Sequence, residues 1–251
     1  AETWAALFDE PADPPPAIGP AADPFVVARQ LTAPKRGNAE AEWEDGYAVD
    51  PATGAAAVTD GAGEGIFCRV WAGLLARRFV ADRPDLGEPT TAAKWLATNK
   101  TGWRQEINYP GLRYTQQNKV NDVGAAATLV GLTVGVAGDD GEARWAAAAV
   151  GDACLFWVRA GRLMGTFPLA VHAHLNSTPA LFRTKTGPAP RPLTGGGTCR
   201  PGDLFLLATD ATAGALFRAA EEGTADWERY AELDDEPWRA EVADLRAQGV
   251  V

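Results

Sequence analysis

Cysteine is scarce in this chain: Cys68, Cys154 and Cys199 are the only three in 251 residues. They are widely spaced and odd in number, which excludes a disulfide scaffold. None has a partner at metal-ligand spacing. Histidine is scarcer, with only His172 and His174, in an H-x-H. Both would point to one face of a strand or loop, as zinc requires, but no third ligand accompanies them, so a structural role is the better reading. Ser177 is the only serine and lacks a G-x-S-x-G context, which argues against a serine hydrolase. No window approaches the 18 apolar residues of a membrane span. The first residues, AETWAALFDEPADPPP, lack the basic start and apolar run of a signal peptide. The expectation is a cytoplasmic protein with no membrane partner. Positive charge is short as well: 23 Lys and Arg stand against 33 Asp and Glu, a net charge of −10. Phosphate backbones select basic surfaces, so nucleic acid is not the expected ligand. An acidic chain can still take a phosphorylated substrate if metal ions supply the positive charge. No internal repeat is visible.

Apolar material is plentiful. Hydrophobic residues make up 46%, with nine Trp and nine Phe, which excludes disorder as the overall state. Residues 1–24 read as an N-terminal segment with a proline-rich linker, and residues 25–251 as the folded domain. Within the first segment Trp4, Leu7 and Phe8 leave open a short helical anchor or a disordered tail. FVVARQLT, from Phe25, suggests a strand. GYAVDPATGAAAVTD (46–60) reads as strand, turn, strand, with Asp50, Pro51 and Gly54 in the turn. Ile66, Phe67, Val70, Trp71, Leu74 and Leu75 recur at helical spacing and predict a helix over 65–82. A second helix follows Pro89, with Thr90 or Thr91 as its cap and Trp95, Leu96 and Trp103 inward. Residues 110–121 are polar and carry no clear period. GAAATLVGLTVGVA (124–137) is nearly charge-free, as a strand covered on both faces would be. Residues 143–162 look like two strands meeting at Gly151-Asp152. Residues 194–210 end in a strand entered through Pro201-Gly202, and helices close the chain. Hairpins segregated from helices predict an α+β domain with antiparallel sheets.

Three acids stand out by context. Asp60 ends an apolar strand, AAAVTD, and enters a glycine-rich turn. Asp210 ends another, LFLLATD. Asp152 sits between two apolar runs. A carboxylate at a buried strand end is costly unless it is paired or binds a cation. Converging ends would make an oxygen-rich site for magnesium or manganese. The plainer alternative is that each caps a following helix; three in similar contexts weaken it. The pair Glu44-Asp45, before the first hairpin strand, is a solvated pair by itself. Beside Asp60 across the hairpin it would become a ligand with a supporting neighbour. DGAGEG is not a dinucleotide fingerprint, because the third glycine position holds Ile66. Nor is it D-x-G-x-G, because Ala62 stands where that pattern needs glycine.

Five pieces in order now resemble one family: WEDGYAV (43–49), AAVTDGAGEG (57–65), GAAATLVGLTV (124–134), AAVGDACLFWVRAGRL (148–163) and DLFLLATDATAGAL (203–216). With FPLAVHAHLNSTPAL (167–181), they resemble the metal-dependent type 2C protein phosphatases, the PPM family, in its divergent bacterial branch. The resemblance implies a four-layer αββα sandwich, two central antiparallel sheets flanked by helices. It implies a serine/threonine phosphoprotein phosphatase with two Mn2+ or Mg2+ ions per site and a third, weaker one. Glu44, Asp60, the Gly61 carbonyl and Asp210 would be metal ligands, with Asp60 bridging and Asp45 supporting. Asp152, in the family's G-D-S position, would help hold the third ion. Two ions about 4 Å apart would make a bridging hydroxide available near neutral pH, and that hydroxide would attack phosphorus in line. The partners implied are a phosphorylated protein and a cognate bacterial Ser/Thr kinase system.

The chain departs from the family pattern in places. S-D-G and G-D-S become Thr209-Asp210-Ala211 and Gly151-Asp152-Ala153. The phosphate-holding arginine falls at Glu40, and Arg36 is the nearest substitute. The last strand of the family, which carries a metal-binding Asp, would begin about where the chain stops at AQGVV. Asp234 and Asp235 look like helix-cap residues instead. The competing expectations are therefore a catalytically weak or inactive phosphatase-like binding module, or a hydrolase of small phosphoesters.

Overall fold

The structure is a computed structural model that describes residues 29–31, 44–62, 65–175, 178–185 and 189–247. The expectations for residues 1–28, the remainder of the 25–32 strand, Arg36, Glu40 and Ser177 lie outside the described residues. The first hairpin joins β1 (Gly46–Asp50) to β2 (Ala55–Thr59). Its turn is built by Asp50, whose carboxylate accepts from the Ala52 amide at 3.1 Å and the Thr53 hydroxyl at 2.9 Å. Gly54 closes the turn at φ 65°, in the left-handed region that glycine enters without strain.

Further strands are β3 (Ala126–Ala127), β4 (Leu129–Val134), β5 (Ala143–Val150), β6 (Cys154–Arg159) and β7 (Arg162–Phe167). Then come β8 (Phe182–Arg183), β9 (Leu193–Cys199) and β10 (Leu204–Ala208). A five-stranded sheet runs β1-β2-β4-β5-β9, a three-stranded one β10-β6-β7, and β3 pairs with β8. Every pairing is antiparallel. The helices are α1 (Cys68–Asp82), α2 (Pro89–Glu106), α3 (Tyr114–Asp122), α4 (Asp210–Glu222), α5 (Trp227–Glu232) and α6 (Asp235–Ala247).

Three cores define four layers. Trp71, Leu75 and Phe79 of α1, with Trp95 and Trp103 of α2, pack on Ala55, Ala57, Leu129 and Ala148 of the larger sheet. The opposite face of that sheet, through Val130, Leu132, Trp145 and Ala147, meets Leu155 and Phe167 of the smaller sheet. The far side of the smaller sheet, through Cys154, Phe156 and Val158, packs on Leu216 and Phe217 of α4 and Trp227 of α5. The order is helices, sheet, sheet, helices: the α+β sandwich expected. Strand β4 is buried along its whole length because both its faces are covered. Gly131 lies under Phe79; a Cβ there would sit 2.3 Å from the ring.

The structure departs from local expectation at several points. Helix α1 begins at Cys68, because residues 65–67 bend and Phe67 takes a left-handed φ of 59°. The cap of α2 is Glu88, not Thr90 or Thr91: its carboxylate accepts from the amides of both threonines, at 2.7 and 2.6 Å. The Thr91 hydroxyl first, and the two amides after it, hold the Glu88 carboxyl at about 2, below its usual value. The polar 110–121 stretch contains most of α3. The glycine run 195–197, for which the sequence predicts no element, lies in strand β9. Close backbone approach explains the glycine: a Cβ at Gly196 would meet the Trp145 carbonyl at 2.7 Å. Among the described residues no helix is long and apolar enough to cross a membrane.

Candidate metal and phosphoester site

The first hairpin brings the early acids to one edge. Its last pair is Gly46 with Thr59, so Asp45 and Asp60 follow side by side as the strands leave the sheet. Thr59 locks this end, its buried hydroxyl placed between the Gly46 carbonyl at 3.1 Å and the Ala72 carbonyl at 3.0 Å. Asp60 is then clamped to Thr128. Its amide donates to Thr128 Oγ1 at 3.1 Å, and the Thr128 amide donates to the Asp60 carbonyl at 2.9 Å. Gly61 bridges Ala127 and lies against Glu44 so closely that a Cβ would stand 2.7 Å from the Glu44 carbonyl. Only glycine allows that approach.

The β5–β6 turn reaches the same edge through the same threonine. Gly151, at φ 98°, packs on Thr128, where a Cβ would meet Cγ2 at 2.6 Å. Asp152 follows it and is 5% exposed. Ala208 pairs with Cys154, so the end of β10 delivers Thr209 and Asp210 next to Asp152. Burial first, and the Asp210 carboxylate second, push the Asp152 carboxyl up to about 6. Asp210 is the first residue of α4, and its Oδ1 accepts from the Ala211 amide at 2.6 Å. The cap position belongs to Thr209, which makes no side-chain cap bond. Its hydroxyl instead donates to Asp45 Oδ2 at 3.4 Å. The helix-cap alternative therefore accounts for part of Asp210 only. It does not suit Asp60 or Asp152: α1 starts eight residues after the first, and a strand follows the second.

The remaining Asp45 oxygen, Oδ1, is buried without a hydrogen-bond partner. A buried carboxylate oxygen in that condition suits a cation nearby or a water bound to one. Carboxylates together with the Gly61 carbonyl would offer the hard oxygen chemistry of Mg2+ or Mn2+. Among the described residues no group of three or more His, Cys, Asp or Glu is close enough to hold a metal ion. Cys68 backs the site, its thiol donating to the Ala62 carbonyl at 2.9 Å. Burial raises that thiol, and Glu44 adds to the effect.

His172 serves α4. It lies in a 3-10 turn, its Nε2 is 2.7 Å from Arg218 Nη1, and its amide donates to Glu221 Oε1 at 3.0 Å. Sequence reasoning missed the threonines. A repeated Thr-Asp at two apolar strand ends, 59–60 and 209–210, was the available signal.

No protein-family model matches the chain, and no curated protein sequence matches it. Solved structures do. The chain is similar to MsPP, a PPM Ser-Thr phosphatase from Mycobacterium smegmatis, at 18% identity, covering 81% of this chain and 86% of that one, with a TM-score of 0.47. It is similar to the serine/threonine phosphatase Stp1 from Staphylococcus aureus at 14% identity, covering 82% and 83%, with a TM-score of 0.46. It is similar to PppA, a regulatory component of T6SS in Pseudomonas aeruginosa, at 19% identity, covering 72% and 74%, with a TM-score of 0.45.

Proposed function

We propose that this chain is a divergent PPM-type phosphatase that hydrolyses phosphoserine or phosphothreonine on a protein substrate, with Mn2+ or Mg2+ as cofactor. The observation that carries the reading is the buried, unpartnered Asp45 Oδ1 at an edge where Glu44, Asp60, Asp152 and Asp210 also end. Repulsion between carboxylates makes such an edge costly without a counter-charge. Glu44, Asp60, Asp210 and the Gly61 carbonyl would hold the principal ions, and Asp152 a further one. Bound there, divalent cations supply positive charge to the phosphoryl oxygens and lower the pKa of a coordinated water.

The chain's own groups do the rest. Thr128 fixes the Asp60 backbone, and Thr209 orients Asp45. Gly61 lets Glu44 close in. Asp152, whose carboxyl burial raises to about 6, is still mostly ionised at neutral pH and would offer its charge to a cation. A kinase that supplies the phosphoprotein and a cytoplasmic setting belong to the same proposal. Three free, buried cysteines accord with a reducing compartment.

Hydrolysis of para-nitrophenyl phosphate with Mn2+, with Mg2+ and with chelator tests this reading. Turnover that needs metal and is lost in Asp60→Asn, with folding intact, supports it. Full activity in Asp60→Asn refutes the site. Because no three acids of the described residues lie close enough to hold a metal ion, one other reading is a phosphatase-like binding module. Phosphopeptide binding without turnover would select it.

A further inference from the structure

The chain carries an excess of ten acidic groups, yet one face is basic. Lys100 and Arg104 of α2, Lys119 of α3, Arg183 of β8 and Lys185 just after it make no ion pair among the described residues. Bonds to neutral acceptors gather several of them. Lys100 Nζ donates to the Lys185 carbonyl at 3.3 Å, and Lys185 Nζ to the Asp122 carbonyl at 2.5 Å. Arg104 Nη2 donates to Asn121 Oδ1 at 3.2 Å, and its guanidinium lies 4.8 Å from the Tyr109 ring centre. Such partners orient the cations without neutralising them. Glu106, at the end of α2, is itself paired with Arg77 at 3.0 Å.

This face abuts the carboxylate edge. The Ala62 amide donates to the Ala126 carbonyl, and the Ile66 amide to the Gly124 carbonyl, both at 2.9 Å. Arg183 pairs with Ala126, and Lys119 lies near enough to Cys68 to act on its thiol.

We propose that this face docks an acidic, extended segment of the protein substrate beside the phosphorylated residue; the proposal rests on the phosphatase reading above. A peptide is favoured over nucleic acid because its charges are placed residue by residue. A continuous polyanion would have to run past Glu44 and Asp60 as well.

The test is fluorescence anisotropy on the full chain. The probes are a phosphothreonine peptide flanked by Asp and Glu, the same peptide with neutral flanks, and a thymidine oligonucleotide. Para-nitrophenyl phosphate turnover is measured in parallel. The acidic peptide should bind about tenfold tighter than the neutral one at low salt, and the gap should close at roughly half-molar salt. Lys119→Gln with Arg183→Gln should remove most of that gap. It should leave melting temperature and para-nitrophenyl phosphate turnover unchanged, and Arg162→Gln, elsewhere on the surface, should have no effect. Equal binding of the two peptides, or no response to the double variant, overturns the proposal. So does tighter binding of the oligonucleotide that responds to the same variants. Turnover without peptide discrimination would sink the docking face and leave the phosphatase reading standing. Discrimination without turnover would do the reverse.

Discussion

Thr209 donates its hydroxyl to Asp45 at 3.4 Å, tying the end of the smaller sheet's β10 to the chain entering β1 of the larger one. The bond crosses the sandwich at the edge where the acids collect. It is long, so its net worth is at the low end, about 1 kcal/mol. Thr209→Val should cost about that much in urea unfolding and loosen Asp45. Thr209→Ser should restore most of it. If Thr209→Val leaves both stability and metal affinity unchanged, the threonine does not position the carboxylate.

Asp152 gives the apo protein a pH signature. Its folded value of about 6 lies above the ordinary 3.8, so the folded state holds the proton more tightly than the unfolded chain. The stability this confers is fully present below about pH 4 and is lost as pH rises through 6. A difference of that size corresponds to roughly 3 kcal/mol at most, before solvent screening reduces it. With chelator present, Asp152→Asn should match wild type near pH 4 and exceed it at pH 7.5 by up to that amount. Added Mn2+ should narrow the difference by stabilising only the wild type. Equal unfolding midpoints at pH 7.5 would show that Asp152 carries no such strain.

Asp203 should slope the other way. Burial pushes its carboxyl up, but bonds from Arg159, Trp157 and the Arg200 amide outweigh burial and hold it below the usual range. Arg159 grips it twice, at 2.7 and 2.8 Å, and Trp157 Nε1 donates at 2.9 Å. A depressed carboxyl adds stability above its unfolded pKa and loses it as pH falls through the folded one. Asp203→Asn should therefore cost most near neutrality, on the order of 2 kcal/mol. The gap to wild type should shrink in acid. A cost that did not change with pH would mean shape, not charge, is what Asp203 supplies.

The first hairpin, the α1 stripe and the acids were legible because local rules govern them. Asp50 and Gly54 are turn residues wherever they occur, Trp71 and Leu75 lie one helical turn apart, and Asp60 and Asp210 end apolar runs. What was illegible depends on distant partners. Gly195–Gly197 has poor strand propensity and is strand because β5 lies beside it, with Gly195 close under Phe167. Glu88 displaced the threonines as cap because a carboxylate accepts two amides at once, while Pro89 fills the first helical position. The seating of Asp45 by Thr209 joins residues 164 positions apart, beyond any local pattern.

Gly61 offers the sharpest separation of site from scaffold. Its missing side chain is what lets Glu44 lie against the Asp60 turn, since a Cβ would stand 2.7 Å from the Glu44 carbonyl and 3.1 Å from its Cβ. Gly61→Ala must push Glu44 outward or drag the turn off Ala127. Glu44 sits at the entry to β1, outside the paired strands, so yielding there is easier than breaking the β2–β4 ladder. The expected result is a modest stability loss, about 1–2 kcal/mol, with metal-dependent turnover reduced at least tenfold and Mn2+ affinity weakened in step. Gly131→Ala is the control: its Cβ would strike the Phe79 ring in the outer core. It should lose as much stability or more, yet keep its Mn2+ affinity at temperatures where it remains folded. If Gly61→Ala binds metal as tightly as wild type, Glu44 is not a ligand and the centre must be built from Asp60, Asp152 and Asp210 without it.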